Sequence, residues 1–199
     1  MTVAPEKTLL IACGALAGET LAVIRANGWE HMEVSCLPAK LHNTPALIPN
    51  AMRTKIREKR GQFAHIYALY GDCGTGGLLD KVLEEEGVER IAGAHCYEFF
   101  TGSAIFDALQ EAEVGTFYLT DFLARHFEKL TIEGLGIDRH PELLPLYFGN
   151  YTRLVYISQI ENAELQEKAR AAADRLSLRY EYRFTGLNGI GDFLNKKAG

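Results

Sequence analysis

Apolar and polar positions along this chain keep switching between two rhythms, continuous apolar runs and amphipathic stretches. "KTLLIAC" is an unbroken apolar run and predicts a buried strand; "GALAGETLAVIRANG" predicts a helix closed by Gly28. "WEHMEVSCL" alternates as a second strand. The loop "PAKLHNTPALIP" then leads into the helix "NAMRTKIREKRG". "FAHIYALYG" predicts a third strand before the helix "GGLLDKVLEEEG". "VERIAGAHC" reads as a short fourth strand, followed by the helix "YEFFTGSAIFDALQEA". Further on, "GTFYLTD" and "RLVYISQ" predict strands, with a helix "FLARHFEKLTIEGLG" between them. "NAELQEKARAAADRLS" is an amphipathic helix, "LRYEYRF" a last strand and "GDFLNKKAG" a short closing helix.

Strands that alternate with helices imply βαβ units. The expected fold is therefore α/β, with one doubly wound, mostly parallel sheet and helices on both faces. No Pro-, Gly- or Ser-rich linker divides the chain, so a single domain over residues 1–199 is expected. An irregular insertion or lid is expected at about 134–151, around "GIDRHPELLPLYFGNY".

Each of the first four predicted strands ends at a cysteine, in "LLIAC", "MEVSC", "ALYGDC" and "IAGAHC". The carboxyl ends of parallel strands share one edge, and ligands bind in the crevice there. Cys13, Cys36, Cys73 and Cys96 are thus expected to approach one region, although a lone buried cysteine would need no special explanation. Gly14 and Gly74 directly follow a thiol, and with Gly76 they give a ligand or backbone room to approach. Polar groups gather at the same edge: Glu19 after Cys13, His42 after the second strand, Asp72 before Cys73, and His95 and Glu98 around Cys96.

Thiolates with an imidazole or carboxylate suit zinc, and the same thiols suit an iron–sulfur cluster. The expected ligands are Cys13, Cys73 and Cys96, with Cys36 or His95 as the fourth. His95 or Glu98 would orient groups or exchange protons, and Asp72 would support Cys73. His31, His65 and His126 fall inside predicted strands or helices and carry no site expectation. His140 lies in the irregular segment, whose placement the sequence leaves open.

"YGDCGTGG" also invites comparison with the glycine loop of S-adenosylmethionine methyltransferases. It follows the third strand and not the first, Asp72 replaces the first glycine, and the next strand ends without an acidic residue. A phosphate loop is excluded because no Lys-Ser/Thr pair follows the glycines. Backbone N–H groups at Gly74 to Gly77, and a second turn in "TGLNGIG", still offer anion sites.

The net charge of −5 gives no basic footprint, so nucleic acid is not expected as a partner. The basic run "MRTKIREKR" reads as the wet face of a helix. The N-terminal apolar stretch is too short to span a membrane and lacks the form of a secretory signal. A cytoplasmic location and reduced thiols follow as expectations, with no membrane partner.

"ACGALAGE", "LPAKLHNTP", "YGDCGTGG", "GAHCYEFF", "GTFYLTDFL" and "YFGNY" together resemble a bacterial and archaeal family catalogued as domain of unknown function 1638. That resemblance carries no established activity. It implies a context of one-carbon metabolism, because such genes are found near corrinoid-dependent methyl-transfer systems. The leading expectation is a thiolate-liganded metal protein, with zinc activating a thiol for methyl transfer from a corrinoid protein or small molecule. The alternatives are a non-catalytic accessory to a methyltransferase, holding a metal or an iron–sulfur cluster, and a redox protein working through Cys13 and Cys73.

Overall fold

The computed structural model describes residues 6–198. The first five residues, part of the stretch read for a secretory signal, lie outside it, as does Gly199 at the end of the expected closing helix. The chain is α/β and every strand pairing is parallel. The strands form two sheets, however, and not the one expected. Two compact units result, one from residues up to Phe99 together with Leu187 onward, the other from Phe100–Gly186.

The first unit holds β1 (Thr8–Cys13), β2 (Met32–Leu37), β3 (His65–Leu69) and β4 (Glu89–Arg90), in the order β2-β1-β3-β4. All six residues of β1 are buried, as its unbroken apolar run requires of a central parallel strand. A short 3₁₀ turn at Gly14–Leu16 leads into α1 (Ala17–Asn27), which Gly28 closes in the left-handed conformation. α2 (Ile48–Lys59) and α3 (Leu78–Glu86) pack together. The basic run presents exposed side chains, as a solvated face would, and these also pair with α3. Arg53, Arg57 and Arg60 all reach the Glu86 carboxylate, at 3.2, 2.8 and 2.9 Å. α9 (Asn188–Asn195) returns to this unit and packs on α1.

β4 is two residues long, far shorter than "VERIAGAHC" suggested, and it pairs only with Tyr67 and Ala68. So short an edge offers little for a fifth strand to pair with. The expected helix "YEFFTGSAIFDALQEA" is likewise broken, into α4 (Glu98–Thr101) and α5 (Ser103–Ala112), at Gly102 with φ +77°.

The second unit holds β5 (Thr116–Leu119), β6 (Arg153–Ser158) and β7 (Arg179–Phe184), in that order. β6 is central and buried along its length. α6 (Asp121–Arg125) runs on into a π-helical segment at Glu128–Glu133. α7 (Leu144–Phe148) lies in the stretch expected as an insertion or lid. That stretch is built into the unit's core through Ile137 and Phe148. α8 (Ala163–Leu176) starts where the Asn162 side chain accepts the Leu165 N–H at 3.0 Å, and buries its Leu165–Ala169–Ala172–Ala173–Leu176 stripe. No helix among the described residues is long and apolar enough to cross a membrane.

Candidate functional site

In the first unit the chain leaves β1 for β2 on one side, then crosses back to β3 on the other. The loops after β1 and β3 therefore diverge, and a crevice opens between them at the carboxyl edge. The second sheet runs β5-β6-β7 without such a reversal. Cys13 is the last residue of β1, and Tyr70, Asp72 and Cys73 follow directly on β3. Ala12 is in register with Leu69, so Cys13 and Tyr70 are the next residues along two neighbouring strands.

The loop after β3 is held in an unusual backbone form. Cys73 has φ +51°, rare for a side-chain-bearing residue, and Gly74, Gly76 and Gly77 are also left-handed. Two contacts fold it against the segment after β4. The Cys73 N–H donates to the Ala94 carbonyl at 3.0 Å. Gly71 lies so close that a Cβ there would stand 3.0 Å from the Ala94 oxygen and the His95 Cα. This folding brings Cys96 back to the crevice, although it lies beyond the end of β4 and not at a strand end as expected.

Asp72 organises its own loop. Its carboxylate accepts the Thr75 hydroxyl at 2.5 Å and the N–H groups of Gly77 and Gly76 at 2.8 and 3.1 Å. Burial opposes the charge, but these bonds and the Arg90 guanidinium hold the carboxyl below its usual range. Of the N–H groups that an anion would use, those of Gly76 and Gly77 are taken by the Asp72 carboxylate and that of Thr75 by the Asp72 carbonyl. A Cβ on Gly74 would stand 3.5 Å from the Pro45 ring, and one on Gly14 would stand 3.1 Å from the Leu37 carbonyl oxygen. Glu98 also works locally, accepting the Ala94 N–H at 2.8 Å.

The four thiols divide unequally. Cys13, Cys73 and Cys96 are buried, whereas Cys36 is exposed on the outer strand β2. The three buried sulfurs lie within each other's electrostatic reach. Burial pushes Cys13 up, against the Ala15 N–H and the Tyr70 hydroxyl. Burial, then the neighbouring Cys13, pushes Cys73 up to about 12. Burial, then Cys73 and Cys13, raises Cys96 far above an ordinary thiol. Cys36 is raised by partial burial and by Cys13. All four are therefore protonated at neutral pH.

Tyr70 lies among them, 1% exposed, with its hydroxyl directed at the Cys13 sulfur. Sequence reasoning passed over it, although a Tyr placed between a buried strand and a thiol-bearing loop was visible in "YGDCGTGG". His42 is exposed at its surface, yet surrounding atoms, and then the charge of His95, keep its imidazole below the usual value and so neutral. As arranged, no group of three or more His, Cys, Asp or Glu side chains among the described residues is set to hold a metal ion. The thiols have donor chemistry that suits zinc.

Comparison with known proteins places these features in a family. The model of a protein family of unknown function (DUF1638) matches residues 36–194, most of the chain, and the chain belongs to that family. The match includes Cys36, Cys73 and Cys96, while Cys13 precedes it. No curated protein and no solved structure matches the chain.

Proposed function

We propose that this family member is a metal-binding protein whose ion, zinc, is held by the thiolates of Cys13, Cys73 and Cys96. Cys36 or His95 would stand in the fourth position. The observation that carries this reading is the gathering of three buried thiols at the switch point of the first sheet. Burial makes each thiol a poor nucleophile by itself, whereas a bound divalent cation stabilises the thiolate and displaces its proton. Loading the site would require these side chains to rearrange.

When bound, the ion would supply Lewis acidity, holding a small thiol substrate as the thiolate that accepts a methyl group at neutral pH. His42, held neutral, is suited to take the proton that the substrate releases, with His95 beside it. Methyl transfer, with a corrinoid protein or methyltransferase as partner, comes from the context that the family resemblance implies. Four unpaired cysteines suit the cytoplasm.

A second reading is favoured by the lack of a pre-set metal group: an accessory protein whose Cys13 and Cys73 exchange with a partner disulfide. Their protonated state argues against fast exchange. Metal analysis of protein purified without oxygen separates the readings. About one zinc per chain supports the first, iron with sulfide a cluster, and no metal the thiol reading. Undiminished metal in Cys73→Ser would sink the ligand assignment.

A further inference from the structure

The second sheet ends on β7, "RYEYRF", which has a strand neighbour on one side only. The Arg179 and Thr185 N–H groups donate to the Thr152 and Ser158 carbonyls along β6, at 3.0 and 2.9 Å. Backbone groups alternate in direction along a strand, so the N–H and C=O of Tyr180, Tyr182 and Phe184 face the open side. No turn, loop or cap among the described residues pairs with them there. Six residues without proline or glycine make a long edge, the kind that templates another strand. Tyr180 and Tyr182 lie half-buried against the core, and Phe184 continues their row, 54% exposed. The other face carries Arg179, Glu181 and Arg183, with the Arg183 Nε donating to the Glu181 carboxylate at 2.7 Å.

We propose that β7 pairs antiparallel with β7 of a second copy of this chain, about a twofold axis at Tyr182. The two three-stranded sheets then join into one of six strands. In this register Tyr182 faces its own copy and Tyr180 faces Phe184, all through the outward backbone groups, as hydrogen-bonded pairs require. Each exposed Phe184 gains an aromatic partner. On the other face Glu181 stands opposite Arg183 twice over. With the bond inside each strand, these make a ring of four charges of alternating sign. Centring the pairing on Glu181 instead sets Arg179 against Arg183 and Glu181 against Glu181, which repel. Centring it on Tyr180 leaves Phe184 without a partner. An apolar strand from another protein would leave the charges unanswered, so the edge fits a copy of itself. The interface belongs to the second unit and is independent of the metal reading.

The test is sedimentation of the full, reduced chain over a range of micromolar concentrations. The wild type is expected to sediment as a dimer of the 22.1 kDa chain. Arg183→Glu and Phe184→Asp change exposed side chains and should keep the fold, read by circular dichroism. Arg183→Glu turns two opposite-charge pairs into like-charge pairs, and the dimer dissociation constant should rise about 10-fold or more. Phe184→Asp should weaken the dimer as well, by removing both outer aromatic pairs. Arg179→Glu, whose side chain faces Thr185 and not a charge across the seam, should keep the wild-type dimer. A wild type that is monomeric throughout would overturn the proposal. So would a dimer that either folded variant leaves unchanged, and the two are read separately so that one can decide if the other unfolds. Equal weakening by Arg179→Glu would overturn the register.

Discussion

The thiols of the metal-free protein should react at very different rates, and the structure sets the ratio. At pH 8 a reference thiol with a pKa of 9.0 is about one-tenth ionised. Cys73, pushed up to about 12, is ionised to about one part in 10⁴, roughly a 1000-fold deficit. Higher basicity makes the thiolate more nucleophilic, which returns about 15- to 30-fold over three pH units. The net expectation is a reaction about 30- to 60-fold slower than an ordinary thiol, before burial restricts access further. Cys36 is exposed and should react first. The assay is release of chromophore from an aromatic disulfide by reduced, metal-free protein. One fast thiol per chain is expected, absent in Cys36→Ser, followed by slow phases. Raising the pH from 8 to 9 should speed the Cys73 phase about 10-fold, because its thiolate fraction is still rising there. In denaturant all four should react together. Two or more fast thiols in the folded protein, or a fast phase that survives Cys36→Ser, would refute the reasoning.

Gly71→Ala forces a Cβ against the backbone of Ala94 and His95, and should lower stability by about 1–3 kcal/mol in urea titration while slowing metal uptake. Asp72→Ala removes the acceptor for three loop donors and should cost about 1–2 kcal/mol. Because the folded Asp72 carboxyl lies below its ordinary value of 3.8, that contribution is fully present above the unfolded value. It is lost as pH falls through the folded one. The stability gap between wild type and variant should therefore stay constant at neutral pH and close only below about pH 4. In the second unit, Asp121 is 3% exposed and accepts the Tyr156 hydroxyl at 2.6 Å and the Gln159 and Ile160 N–H groups at 3.2 and 2.9 Å. Asp121→Ala strands these buried donors and should cost about 3 kcal/mol or more, read as a drop in the urea midpoint.

The elements that were legible in the sequence are those whose identity is decided locally. "LLIAC" and the "LVYI" of β6 are unbroken apolar runs, and both became central strands buried on two faces. Gly28, Gly87 and Asn162 marked helix ends because their backbone or side chain satisfies the last or first turn by itself. The predicted fourth strand failed for a matching reason. "IAGAHC" is apolar enough, but after Arg90 the backbone turns away to pair with the loop at Cys73, which sequence pattern cannot register.

The candidate site divides the same way. Four cysteines near strand ends were visible, and so was the idea of a shared edge. Which of them lie in the crevice was not. Cys36 sits on an outer strand that is buried only at its two ends, Met32 and Leu37, and its side chain is exposed. Cys96 lies beyond its strand yet is buried, because Gly71 and the Cys73 N–H draw residues 94–96 inward. Asp72 looked like a partner for the thiol and is bonded instead to its own loop.

The sequence by itself determined an α/β chain of parallel strands, several of its helix ends, and thiols at or beyond the carboxyl ends of strands. Those features follow from periodicity, capping and burial, which act over a few residues. Only the tertiary structure decided that the strands divide into two sheets, that a switch point falls between β1 and β3, and that three thiols and the Tyr70 hydroxyl share one desolvated space. Strand order and the packing of distant loops are set by contacts between residues far apart along the chain. The raised thiol pKa values that give the site its character arise from those contacts.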